Sequence, residues 1–274
     1  MAHTAQERYS SLVDAKLRAT LVKKDGIIFS TRYEGNPKAG AVKIPVRDTE
    51  VEVKEYDKVK GVAGSTGATT YLKLDIDHDD AVNELIDGYD AASVPDNLVA
   101  DRLDSAGYSL GLKTEGYATT CLETAATVHE EGVKLTAKNT YETIVGMRTA
   151  ASKAGVPNDG KRWLLVSPDV YSLLLLDDRF THATELGDQV IATGAVGKIA
   201  GFLVFEDTTL SETTDMIAGH PNWCHHVNEW SVPVHLQDLN GSGNFIGASA
   251  VQGRIVQGYK VSKPKTVLIR KHTG

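Results

Sequence analysis

Three stretches hold residue types that could do chemistry. The first is His220-Pro221-Asn222-Trp223-Cys224-His225-His226, three imidazoles and a thiol in one short segment. Deprotonated, such groups bind zinc when four of them converge tetrahedrally, and a metal-dependent enzyme is the reading that would follow. Against it, the segment reads as a strand or tight loop, where neighbouring side chains diverge. No second Cys/His cluster completes a site. A mixed packing and surface role is the stronger expectation. The second stretch, Asp75-Ile76-Asp77-His78-Asp79-Asp80, gathers carboxylates but lacks the glycine and distal glutamate of a calcium-binding EF-hand loop. It reads as a strand edge followed by a helix start. The third, GAVGKIAG over 194–201, superficially resembles a phosphate-binding loop. It has no Gly-Lys-Ser/Thr ending and precedes a strand, so it reads as a turn. No Gly-x-Ser-x-Gly elbow is present. Cys121 and Cys224 spell no framework and no metal pair, and read as free thiols of a reducing cytoplasm. No catalytic residue, cofactor or metal site is assigned, and the chain reads as not an enzyme.

The bulk numbers describe the molecule that would carry these residues. The 274-residue chain is 41% hydrophobic and 24% charged, which provides for an ordinary globular core. Lys+Arg 29 against Asp+Glu 36 leaves a formal charge of -7, without the net basic face that a duplex binder uses against phosphates. No apolar run approaches the ~20 residues that cross a bilayer as a helix. The first residues lack an apolar signal core. The expectation is a soluble chain that is intracellular when made.

Periodicity supplies the elements. Tyr9, Val13, Leu17 and Leu21 recur every four residues and predict a short amphipathic helix stopped by Gly26. Val51 and Val53, then Leu72, Leu74 and Ile76, alternate with polar residues as half-buried strands. Between them GVAGSTGATT, residues 61–70, reads as a flexible tip holding Gly61, Gly64 and Gly67, with Lys58 and Lys60 just before it. A long two-stranded hairpin with so few large apolar residues is not stable alone in water. It must lie on another surface, which is the first sign of an assembly protein. Val82, Leu85, Ile86 and Tyr89 have helical spacing behind Asp79 and Asp80. Ser93-Val94-Pro95-Asp96 opens a helix running to about Glu123, roughly 40 Å long at ~1.5 Å per residue. Gly107, Gly111 and Gly116 weaken it, so packing must hold it. Residues 135–230 then read as a compact α/β unit. Its parts are a helix around Tyr141, Ile144, Val145 and Arg148 closed by Gly155 and Pro157, a buried strand at Trp163–Val166, a helix capped by Ser167 and running through Leu176, and strands at 202–205 and 215–218. Strand alternation returns over 231–239 and 245–270, ending in Thr266-Val267-Leu268-Ile269. The whole is an α+β chain.

This order of elements, with RWLLVSPDVYSLLLLDDRF at 162–180 and GAVGKIAGFLVFEDTTL at 194–210, resembles the Hong Kong 97-type fold of tailed-bacteriophage major capsid proteins. Many members of that family carry a strand ending in Ser/Asn-Pro, a short helix, a variable loop and a G-x-I-x-G-F-x-V phrase. Here Gly197, Ile199, Gly201, Phe202 and Val204 match the phrase. The resemblance implies an N-terminal arm over 1–37, an extended loop over 38–80 that overlaps a neighbour, and a peripheral domain with its spine helix over 81–134. It implies an axial domain over 135–230 and returning strands of the peripheral domain over 231–274. The implied function is a structural subunit that assembles with itself into hexamers and pentamers of an icosahedral capsid. That capsid would enclose double-stranded DNA held without specific binding. A portal protein and a separate scaffolding or decoration protein are the implied partners, and no membrane is involved; with no room before the arm for a scaffolding extension, assembly is expected to rely on a separate scaffolding protein or on none. Assembly in the host cytoplasm and residence in the virion follow. The assembly residues implied are Lys58, Lys60, Gly61, Gly64 and Gly67 at the loop tip and Gly197, Gly201 and Phe202 in the axial turn. No acceptor matches the loop lysines for the inter-subunit cross-linking known in part of the family. An encapsulin-like nanocompartment shell shares the fold and is the alternative.

Overall fold

A computed structural model describes residues 18–33, 40–47, 50–64, 67, 69–93, 98–176, 197–242 and 244–273. The expected helix over Tyr9, Val13 and Leu17, and the helix-start signature at 94–96, lie outside the described residues.

The apolar run Trp163-Leu164-Leu165-Val166 forms β5, buried on both faces, as an unbroken apolar strand must be. It sits inside a six-stranded sheet ordered β4-β11-β8-β5-β7-β6. Its partners are β7 (Phe202–Glu206), parallel, and β8 (Thr214–Gly219), antiparallel. Beyond them lie β6 (Gly197–Ile199), β11 (Leu268–His272) and β4 (Thr127–Gly132). On one face pack α3 (Ala137–Lys153) and α4 (Pro168–Leu175) around Ile144, Met147, Leu164, Val166, Leu174 and Phe202. At the start of α3 the Thr136 amide donates to Asn139 Oδ1 at 2.7 Å. Its end is a Schellman turn: Gly155, at φ +80°, and Val156 donate back to Ser152 and Ala151 carbonyls. At the start of α4 the Ser167 hydroxyl accepts from the Val170 amide, with Pro168 at the first helical position. The other face of the sheet meets Val22, Ile28, Phe29, Ala118 and Leu122.

The long helix α2 runs Leu98–Ala125, about 42 Å at ~1.5 Å per residue. It lies on a three-stranded antiparallel sheet of β3 (His78–Asp87), β10 (Ala248–Val261) and β9 (Cys224–Asp238). Of its glycines, Gly111 has a packing reason: a Cβ there would lie 2.6 Å from Leu21 Cδ1, where the N-terminal strap crosses. That strap runs from residue 18 without helix, so Leu21 does not continue one, and Gly26 (φ +81°) turns it.

Several expectations need correction. Residues 79–87 form strand β3, not a helix. The inward side chains alternate as His78, Asp80, Val82, Glu84 and Ile86, and two of these are acidic. Asp80 accepts from the Tyr117 hydroxyl at 3.1 Å and Glu84 pairs with Arg102 at 2.7 Å, so the helix supplies partners that let carboxylates occupy an inner face. Gly88–Ser93 forms a short helix, α1. The strand expected from residue 231 begins at Cys224, so residue 231 falls inside β9. The run at 245–270 divides at a 3-10 turn over Pro264–Thr266, and its last strand, β11, joins the six-stranded sheet, as does β4.

The hairpin pairs β1 (Ala41–Val46) with β2 (Thr70–Asp75), where Ile44 and Leu74 bury against Val227. The strand expected at 51–53 is not formed, because those residues have no ladder partner. The described chain reverses at Asp57–Gly61, earlier than the tip expected at 61–70.

Candidate assembly surface

Between β1 and β2 the described chain makes no strand ladder. Its reversal is built locally: Asp57 Oδ1 accepts from the amides of Val59 and Lys60 at 2.7 and 3.1 Å, and the Gly61 amide closes onto the Asp57 carbonyl. These amides hold the Asp57 carboxyl below its ordinary range. Gly61 has φ +68°, which the turn requires. Lys58 and Lys60 stand exposed on it, Gly64 has open space around it, and Gly67 lies against the Arg47 guanidinium. Around the turn stand Val51, Val53 (94% exposed), Tyr56 and Val59 (91% exposed). Apolar side chains gathered in water around one turn make a surface to which a partner could dock. Tyr56 and Val59 were not singled out in the sequence; their contribution emerges only once the turn is placed.

The second region expected to matter is the hairpin β6–β7. Ala200 (φ 47°) and Gly201 (φ 87°) make a two-residue turn of two left-handed residues, the type that matches strand twist. Ile199, Phe202 and Val204 are buried beneath it, and Gly197 opens β6. Over its described residues, 197–204, it is a core-forming turn.

The His/Cys segment diverges. His220 Nδ1 accepts from the Asn222 amide at 3.2 Å and Nε2 meets Asp159 at 3.0 Å, which lowers the Asp159 carboxyl. His225 Nε2 bonds Ser262 Oγ at 3.0 Å, its ring edge meets Tyr33, and its Nδ1 is buried without a partner. Burial, and then the charge of Arg32, pushes this imidazole down to about 4. His226 bonds Asp25 and Gln257 and stacks on Tyr259 at 4.5 Å. Cys224 is fully buried and its thiol is pushed well up, while Cys121 is pushed up to about 11, both chiefly by burial. Neither thiol is poised as a nucleophile. The carboxylates of 75–80 also separate: Asp79 pairs with Arg254, Asp80 bonds Tyr117, and His78 stacks on Tyr117 at 3.7 Å. Among the described residues no group of three or more His, Cys, Asp or Glu converges to hold a metal. No described helix is long and apolar enough to cross a membrane.

No protein-family model matches the sequence, and no curated protein matches it. Solved structures do. A chain from the structure of Mycobacterium phage Che8 is 22% identical, with 97% of this chain and 96% of that one covered, at a TM-score of 0.77. The capsid structure of cyanophage P-SCSP1u gives 12% identity, 98% and 93% coverage, and a TM-score of 0.78. The capsid of a native GTA particle gives 11%, 98% and 96%, and 0.68. The similarity runs the length of both partners in each case. The chain has the α+β Hong Kong 97-type fold of tailed-phage major capsid proteins.

Proposed function

We propose that this chain is the shell-forming subunit of a tailed-phage capsid, a structural protein without catalytic activity that assembles with itself into hexamers and pentamers. The observation that carries the reading is the exposed apolar loop around Asp57–Gly61, whose Val53 and Val59 stay almost fully exposed among the described residues, set on a fold shared end to end with phage capsid chains. Residues 1–37 act as the arm and 38–80 as the loop reaching a neighbour. Residues 81–134 with 231–274 make the peripheral layer around α2, and 135–230 make the axial domain, with β4 and β11 extending its sheet. Lys58, Lys60, Gly61, Gly64 and Gly67 then shape the reaching tip, and Gly197, Gly201 and Phe202 shape the axial turn. A closed symmetric shell multiplies modest contacts into one stable object, so no single interface needs to be strong. The formal charge of -7 suits a container that holds DNA without gripping it. A portal protein and a separate scaffolding or decoration protein complete the expected partners, with assembly in the host cytoplasm and residence in the virion.

Negative-stain electron microscopy of the purified protein, beside its sedimentation profile, tests this. Closed polyhedral particles or sixfold and fivefold rings are expected. A chain that stays monomeric over a wide range of concentration, crowding agent and salt would contradict the proposal.

A further inference from the structure

Lys23 belongs to the N-terminal strap, yet its amine is buried, with 1% side-chain exposure. Glu115 of α2 places Oε2 3.1 Å from Nζ, and Asp207, just past β7, places Oδ2 at 2.5 Å. Both carboxylates are buried as well. Two acids facing one amine away from water is a costly arrangement, because desolvating each ion costs several kcal/mol. The Thr209 hydroxyl is a third acceptor for the amine, at 2.7 Å.

Hydrogen bonds fix both carboxylates against the amine. The Lys23 amide donates to Glu115 Oε1 at 2.8 Å, which fixes that carboxylate with its other oxygen on the amine. Asp207 Oδ1 accepts from the Thr209 amide at 2.9 Å and the Thr209 hydroxyl at 2.7 Å. Two donors therefore face one oxygen of Asp207, while the other oxygen faces the amine, with the carbonyl carbon one bond beyond. Preorganised donors at an oxygen that gains charge are what a tetrahedral intermediate needs, and a fixed near-attack geometry supplies much of the remaining barrier reduction.

We propose that Lys23 and Asp207 of the same chain condense into an isopeptide bond, with Glu115 as the proton-transfer group. Glu115 takes a proton from the ammonium, and the freed lone pair attacks Cγ of Asp207. Negative charge collects on Oδ1 between the two Thr209 donors. Glu115 then delivers its proton to Oδ2. The Cγ–Oδ2 bond breaks, and Oδ2 leaves as water with two of the three Nζ protons. The third proton stays on the amide nitrogen, and Glu115 ends as the carboxylate it began as. One N–C bond replaces one C–O bond, with no oxidant, reductant or activating group required. An adjoining cavity lined by Lys23, Thr114, Glu115 and His226 gives the water an exit. The bond ties the strap to the six-stranded sheet beside α2, across 184 residues of sequence. It forms inside one folded chain and is read whether or not shells assemble.

The test is the intact mass of the purified, denatured protein. A mass lower than the sequence mass by one water is expected, with a branched tryptic peptide joining the segments around Lys23 and Asp207. Lys23→Arg and Glu115→Gln are expected at full sequence mass. Asp207→Asn is expected to lose one ammonia instead of one water, since its amide nitrogen becomes the leaving group. Wild-type protein at full mass, with a native circular dichroism spectrum, overturns the proposal without reference to any variant. So does a mass deficit that persists in Lys23→Arg. A ladder of multimers on a denaturing gel would place the bond between chains and overturn it too.

Discussion

The histidines most suggestive of metal chemistry are each committed to a different structural bond, and His225 shows what that costs. Its imidazole is buried in the neutral form and held down to about 4, against 6.5 for a free ring, by desolvation and by Arg32. In the unfolded chain the ring takes its proton near 6.5; in the folded chain it resists until about 4. Between these values the unfolded state binds more protons, so the stability contribution is complete above 6.5 and is lost as pH falls toward 4. The loss is about 1.4 kcal/mol per pH unit at most. His225→Gln, which keeps a polar group facing Ser262 but does not titrate, is expected to flatten that slope. Urea midpoints at several pH values in this window check it, and parallel slopes for the two proteins would refute it. The sequence held the divergence of this segment in its strand-like pattern. It could not hold the partners, because Asp25, Asp159 and the Gln257–Ser262 segment come from three distant stretches. The Lys23–Glu115–Asp207 cluster was invisible for the same reason: three ordinary charged residues become unusual only when the fold buries them together.

At the scale of elements, legibility followed how completely local chemistry decided the structure. The α/β unit was readable because an apolar run, an Ser-Pro helix start, a Gly-Pro helix stop and paired turn glycines each act within a few residues. Strand β3 was not. Its inner face carries Asp80 and Glu84, whose tolerance depends on Tyr117 and Arg102 of α2, and acidic residues ahead of Val82 and Ile86 imitate a helix start. The hairpin was legible as an arm but not in its detail, since the turn at Asp57–Gly61 lies earlier than the glycine-rich stretch suggests. The β6–β7 turn offers a test with two signs. Gly201 sits at φ +87°, and a Cβ there would lie 3.2 Å from Asn158 Oδ1. Gly201→Ala is therefore expected to destabilise by about 1–2 kcal/mol. Ala200, one residue earlier, bears the strain of a left-handed conformation with a Cβ present. Ala200→Gly is expected to be neutral or stabilising, by up to about 1 kcal/mol. Equilibrium denaturation of the two variants decides it: the turn as described requires opposite signs, or at least a clear gap between them.

At the scale of the molecule, the loop around Asp57 separates folding from assembly. Val53 and Val59 are almost fully exposed, so they contribute almost nothing to the stability of the isolated chain. Replacing both with aspartate is expected to leave the unfolding free energy within about 0.5 kcal/mol of wild type, as for surface changes generally. If the loop covers a neighbour, the same replacements put two charges into an apolar contact that recurs at each subunit of a shell. A loss of ~1.4 kcal/mol at one contact is tenfold in its equilibrium constant, and a closed particle compounds that loss over its many equivalent contacts. The threshold concentration for particles should therefore rise steeply while the denaturation curve stays in place. Sedimentation of the double variant beside wild type, over a concentration series, reads one quantity, and urea denaturation reads the other. A fallen denaturation midpoint with an unchanged particle threshold would mean that the loop packs on its own chain, and the shell reading would lose the observation on which it stands.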